Sequence, residues 1–258
     1  MPTSIVVLSQ SESASKAAVS YATLLARAMA VPVCLLQMAA GPVLAGESTP
    51  GMADDIARPA ATLEETIVPT LANKDALLVV MTVPATSSPS AGLADPAVWS
   101  LLPAISPPLL LVPSGLTSQE PPSHIALVTD GDPFTLMHGQ RAMHALLLTL
   151  PVLITVLHTP TARSTSSPAD ALQTLLTCGL AARYLTTAAA LVVPGGNAAD
   201  KILSGVPDRV RELRADLLVL IIRRGALREA GFGRSMMAAL LQQSPVPILL
   251  LLAAEQAG

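Results

Sequence analysis

Aromatic side chains are nearly absent: two Phe, two Tyr and one Trp among 258 residues. Nucleic-acid binders need cations for the phosphates and aromatic faces for the bases. With so few rings and a net charge of −3, general nucleic-acid affinity is not expected. Charged residues make up only 13% of the chain, hydrophobic residues 51%, and mean hydropathy is +0.57. The apolar excess is Ala, Leu and Val, which reads as well-covered strands rather than an adhesive surface. No apolar run reaches the ~18–20 residues of a bilayer span, and the longest, 145–157, is broken by Pro151. No basic segment precedes an apolar stretch at the start of the chain, so no secretory signal, no membrane partner and a cytoplasmic location are expected. Cysteine is also scarce. Cys34 and Cys178 lie in apolar or small-residue contexts and read as idle thiols in a reducing compartment. His124, His138, His144 and His158 show no i, i+4 pair, so no metal site is expected. No Ser-His-Asp or Cys-His motif stands out, and no enzymatic activity is expected.

What the chain does contain, it contains twice. Ile5-Val6-Val7-Leu8 is answered by Ile125-Ala126-Leu127-Val128, and Val31-Pro32-Val33 by Leu150-Pro151-Val152. Leu77-Leu78-Val79-Val80 is answered by Leu217-Leu218-Val219-Leu220, and Ser106-Pro107-Pro108-Leu109 by Ser244-Pro245-Val246-Pro247. A period so far above the ~20–50 residues of solenoids means two copies of one domain. The expected domains are 1–113 and 124–258, joined by a polar, Pro-rich linker at 114–123.

Continuous apolar runs are the mark of parallel strands covered on both faces. After the first run in each copy comes turn and N-cap chemistry, Ser11-Glu12-Ser13 and Asp130-Gly131-Asp132-Pro133. Helices are expected at 14–29 and 134–149, with a second strand starting at Pro32 or Pro151. Strand, helix and strand within about 30 residues is a βαβ unit. The second copy continues with helices at 170–183, 198–213 and 235–243 and strands at 185–193, 216–222 and 247–252. Five strands with interleaved helices make a doubly wound α/β domain. The first copy is shorter: Pro32 to Leu77 spans 45 positions against 66 from Pro151 to Leu217. About 20 residues, one helix and one strand, are missing, replaced by an irregular loop at 41–59 and a helix at 62–71.

The second copy resembles the universal stress protein family. The resemblance is carried by Val128-Thr129-Asp130-Gly131, Val193-Pro194-Gly195-Gly196-Asn197-Ala198, Ala215-Asp216-Leu217-Leu218 and Gln243-Ser244-Pro245-Val246-Pro247. It covers 123–252 and, more weakly, 4–112, so the chain looks like a tandem member. The fold this implies is a pair of Rossmann-like, adenine nucleotide alpha-hydrolase-like domains with a parallel five-stranded sheet, the first copy truncated. The resemblance also implies a stress-response protein without catalysis, the last strands of its two domains pairing within the chain as a pseudo-dimer, and a homodimer is open too.

In nucleotide-binding members an Asp after the first strand holds the nucleoside and a Gly-x2-Gly-x9-Gly-Ser loop wraps the phosphates. Here the resemblance places Asp130 and Gly131 at the first feature and Ser235 at the last, but Ile221, Arg224 and Arg234 stand where the glycines would be. Ser9 is read as replacing the Asp in the first copy, and Asp95-Pro96 the Gly-Ser pair, so that copy is expected to bind no nucleotide. Each charge-assisted hydrogen bond to phosphate contributes roughly 1.5–3 kcal/mol. Losing two or three moves a micromolar site to the millimolar range. ATP is therefore not expected as a cofactor. The competing reading is a nucleotide or anion sensor, with Arg224, Gly225 and Arg234 among the crowded Arg223, Arg228 and neighbouring glycines supplying a shifted phosphate site. A hydrolase of the wider nucleotide group is disfavoured because neither a Ser-Gly-Gly loop nor a His-x-Gly-His motif is found.

Overall fold

The apolar runs form the strands expected of them. A computed structural model describes residues 3–9, 15–37, 63–83, 102–118, 120–137, 140–159, 166–180, 185–190, 198–223, 240 and 243–255. In chain order the elements are β1 (Ser4–Ser9), α1 (Lys16–Met29), β2 (Val33–Gln37), α2 (Leu63–Asn73), β3 (Ala76–Val83) and β4 (Leu109–Pro113). Then follow β5 (His124–Thr129), β6 (Phe134–Leu136), α3 (Arg141–Thr149), β7 (Leu153–His158), α4 (Pro168–Thr177), β8 (Leu185–Ala190), α5 (Ala198–Leu213), β9 (Leu217–Arg223) and β10 (Ile248–Glu255).

All ten strands join one sheet in the order β2-β1-β3-β4-β10-β9-β5-β7-β8, with β6 paired to β10 off that path. Pairing is parallel except where β10 meets β4 and β6. The fold is thus α/β with a mostly parallel central sheet, as expected. In place of the expected five-stranded sheet with a truncated first copy there is one continuous sheet: four strands, β2-β1-β3-β4, and five, β10-β9-β5-β7-β8, merge across the antiparallel β4–β10 seam, Leu110 opposite Leu249.

Alternation along each strand splits the core into two layers. Ile5 and Val7 face α1, α3 and α4 through Tyr21, Leu25, Leu146 and Leu175. Val6 and Leu8 face α2 and α5 through Ile67, Leu71, Val206 and Val210. The register is matched in the two halves. Ile5 pairs with Val33 and Leu78, and Ile125 with Ile154 and Leu217. Three residues before Leu78 and Leu217, Asp75 and Arg214 both adopt positive φ, 46° and 51°. That left-handed turn ends the preceding helix and lets the chain enter the strand.

Two expectations are revised. The helix placed at 134–149 begins at Arg141, and Phe134–Leu136 is β6. The cause is tertiary. β10 runs on past the point where β4 leaves it, and its outer N–H and C=O groups need partners. Phe134, Thr135 and Leu136 supply them opposite Glu255, Ala254 and Ala253, and Phe134 is buried. The helix placed at 170–183 starts earlier, at Pro168, because Ser167 and Asp170 form a reciprocal capping box. The loop at 41–59 and the helix at 235–243 lie outside the described residues apart from Leu240 and Gln243, both helical.

The second copy's extra helix and strand are α4 and β8. Under α4, Ile154 and Val156 are 3% and 0% exposed, whereas their register equivalents on β2, Val33 and Leu35, are 37% and 58% exposed. Among the described residues, the face of β2 that corresponds to the one under α4 is thus left partly exposed.

The segment entering β5 is tied to β9. Asp216 Oδ2 accepts from Ser123 N (2.9 Å), Ser123 Oγ (2.7 Å) and His124 N (3.0 Å). Partial burial pushes this carboxyl up, but the Ser123 and His124 hydrogen bonds and the His124 ring together outweigh it and hold it below the usual value of 3.8. A lowered folded pKa adds stability above the unfolded value and loses it as pH falls through the folded one. Wild type should therefore exceed Asp216→Ala by about 1 kcal/mol at neutral pH, a figure discounted for exposure. The gap should close below about pH 3.8 in denaturant titrations; a gap unchanged from pH 7 to pH 2.5 would remove Asp216 from that role.

Candidate functional site

In a doubly wound sheet, ligands bind beyond the carboxyl ends of the strands, where the strand order reverses. From β5 the chain passes through α3 to β7 on one side, and later returns through α5 to β9 on the other. The reversal lies between the paired strands β5 and β9. Asp130 directly follows β5, and Arg223 is the last residue of β9.

These two side chains meet. Arg223 Nε donates to Asp130 Oδ2 at 2.8 Å and Nη2 donates to Asp130 Oδ1 at 2.9 Å, a bidentate pair. The same guanidinium reaches the Asp132 carbonyl at 2.8 Å and the Pro133 carbonyl at 3.1 Å. The side chains are 19% and 22% exposed, sheltered enough for the fork to persist. Asp130 is therefore not the N-cap of a helix, contrary to expectation. Its Oδ1 accepts from the Asp132 N–H at 3.1 Å and closes a turn.

Gly131 sits at φ +83°, and an added Cβ would lie 2.7 Å from Ser166 Oγ and 2.8 Å from His158 Nε2. Both neighbours hold the same turn. Ser166 Oγ donates to the Asp130 carbonyl at 2.7 Å, and His158 Nε2 lies 3.1 Å from it. A carbonyl only accepts, so this nitrogen carries the proton. Thr174 Oγ1 donates to the Gly131 carbonyl (3.3 Å), and Cys178 Sγ to that of Phe134 (3.0 Å). Burial pushes the Cys178 thiol up, which keeps it protonated as a donor. Asp170, near His158, is held low by the Ser167 N–H and then the Ser167 hydroxyl.

Asp130 and Gly131 thus lie just beyond β5, and Arg223 at the end of β9 is the partner of Asp130. His158, buried at 2% exposure, and Ser166 were not foreseen. The only hint was that both a His and an Arg end apolar strands next to the one ending at Asp130. Arg224, Gly225, Arg234 and Ser235 lie outside the described residues. In the first copy, aligning Ile5 with Ile125 by register makes Ser9 the counterpart of Thr129. Gln10, also outside the described residues, is then the sequence counterpart of Asp130. Ser9 is buried, its Oγ donating to Ser15 Oγ at 2.9 Å, so it is not a substitute for Asp130. Among the described residues no group of His, Cys, Asp and Glu could hold a metal ion, and no helix is long and apolar enough to cross a membrane. A groove of about 230 Å³ lies at the other end of β7, lined by Leu147, Leu150, Val152 and Leu180, remote from Asp130.

No protein-family profile matches the sequence, and no curated protein does. Solved structures do share the fold. One, provisionally assigned as a universal stress protein from Pseudomonas aeruginosa UCBPP-PA14, superposes with a TM-score of 0.54 at 16% identity, covering 98% of this chain and 94% of that one. A functionally unknown protein from Pseudomonas aeruginosa PAO1 gives 0.52 at 15% identity, covering 97% and 92%.

Proposed function

We propose that the chain is a tandem, non-enzymatic member of the universal stress protein type, with domains 1–113 and 124–258, whose nucleotide site is weakened or lost and which acts in the cytoplasm through protein contacts. The antiparallel β4–β10 seam supports the internal pseudo-dimer, since equivalent last strands meet there.

The observation that carries the nucleotide reading is the fork of Arg223 on Asp130. A carboxylate that accepts ribose hydroxyls must have free lone pairs. Here both oxygens already accept from Arg223, and Oδ1 also from the Asp132 N–H. A ribose hydroxyl competes there with a charge-assisted, bidentate contact, and displacing it costs on the order of 1.5–3 kcal/mol, or roughly ten- to hundredfold in affinity. Calorimetry with ATP, ADP and AMP on the full chain tests this. No binding at micromolar nucleotide is expected, and a micromolar Kd for any of the three would overturn the reading.

A further inference from the structure

We propose that residues 130–136 form a strap across the carboxyl ends of β9 and β10, and that Arg223 is the clamp holding it shut over the crevice between β5 and β9. The path follows from the sheet. β5 borders β9, β9 borders β10, and β6 pairs with the far side of β10. Ala253 has Arg223 on one flank and Leu136 on the other. Between Thr129 and Phe134 the chain must therefore cross two strands, about 14 Å at the usual spacing between neighbouring strands. Five residues reach about 17 Å when extended, and the turn at Asp130–Asp132 shortens that reach, so the crossing has little slack to loop away from the strand ends.

The strap is pinned along its length. Arg223 binds its start through the Asp130 carboxylate and its middle through the Asp132 and Pro133 carbonyls. Its end is pinned by three β6 pairs, by Phe134 in the core and by the Met137 N–H on the Leu252 carbonyl at 3.3 Å. His158 and Ser166 hold the Asp130 carbonyl from beneath. Of these, Arg223 alone reaches the start and the middle at once while itself belonging to the strand that the crevice borders. Its release removes the charged contact on the carboxylate and two of the bonds on the backbone together, which makes it the point at which the crevice opens. This rests on the reading of Asp130 as the group that would face a nucleoside, and it goes further by making occupancy depend on the strap.

The test uses the full chain carrying Arg223→Ala. Backbone amide exchange of Thr135 and Met137 is measured against that of Val6 and Val7 in β1. The amides of Thr135 in the strap and Met137 just after it should exchange roughly ten- to hundredfold faster than in wild type, with the β1 amides unchanged, for the loss of charge-assisted hydrogen bonds. ATP titrated into the same variant should bind at least ten times more tightly than to wild type. Unchanged exchange of the strap overturns the clamp, whatever ATP does. Faster exchange without any gain in ATP affinity overturns the gate. A micromolar wild-type affinity instead refutes the proposal of a weakened site, so the two failures are distinct. Arg223→Lys, which keeps the charge but cannot fork, provides a milder variant and should give intermediate exchange.

Discussion

Replacing Gly131 with alanine is expected to lower the unfolding free energy by about 3 kcal/mol, roughly 6–12 °C in Tm for a chain of this size. Two independent costs add. At φ +83° a side chain carries about 1–2 kcal/mol of backbone strain. The new Cβ would also lie 2.7 Å from Ser166 Oγ and 2.8 Å from His158 Nε2. The hydroxyl can rotate away, giving up its bond to Asp130 at a cost of about 1 kcal/mol. The imidazole is only 2% exposed and has little room to yield. Pairing Gly131→Ala with Ser166→Ala should therefore recover less than half of the loss. A loss below 1 kcal/mol in urea titrations of the single variant would mean the turn is not held as described.

Leu110→Ala should be comparably severe, about 3 kcal/mol, and should displace a single transition. Leu110 is 1% exposed, sits opposite Leu249 and lines a residual void of about 10 Å³ with Leu25, Leu146 and Leu217. That void is at the lower limit for holding a single water, and removing most of the buried Leu110 side chain enlarges it into a cavity. The residues around it come from both copies. The substitution should therefore move one common melting curve observed by circular dichroism and by Trp99 fluorescence. Two resolved transitions, only one of them shifted, would show that the copies unfold separately.

The sheet was legible because its strands are written as uninterrupted apolar runs. Ile5–Leu8, Leu109–Val112 and Ile125–Val128 need no partner to be recognised, and α5 occupies the expected 198–213. β6 was not legible. Phe134-Thr135-Leu136 is too short for either periodicity, and Asp130 to Pro133 is also good helix-start chemistry. The choice was made by β10, more than 110 residues further on, whose outer edge required a partner. The same distance concealed the site. Asp130 could be found as the residue after an apolar strand, but Arg223 was one of four arginines between 223 and 234 until the β5–β9 register set it alongside. Equating Ser9 with Asp130 was an error of one position, exposed by the paired ladders of β1 and β5.

The continuous sheet also bears on how the chain emerges from the ribosome. β4 receives its antiparallel neighbour only when Ile248–Leu250 has been made, after nearly 140 further residues. At about 5–20 residues per second that is a wait on the order of 10–30 s. During this time Leu109–Leu111, an uncharged, wholly apolar ladder, has an open flank. Sequences of this kind are templates for pairing between nascent chains. The β4–β10 seam is therefore also a kinetic liability: until the last strand arrives, neighbouring polypeptides on one messenger compete for the place that the chain's own C-terminal strand will take.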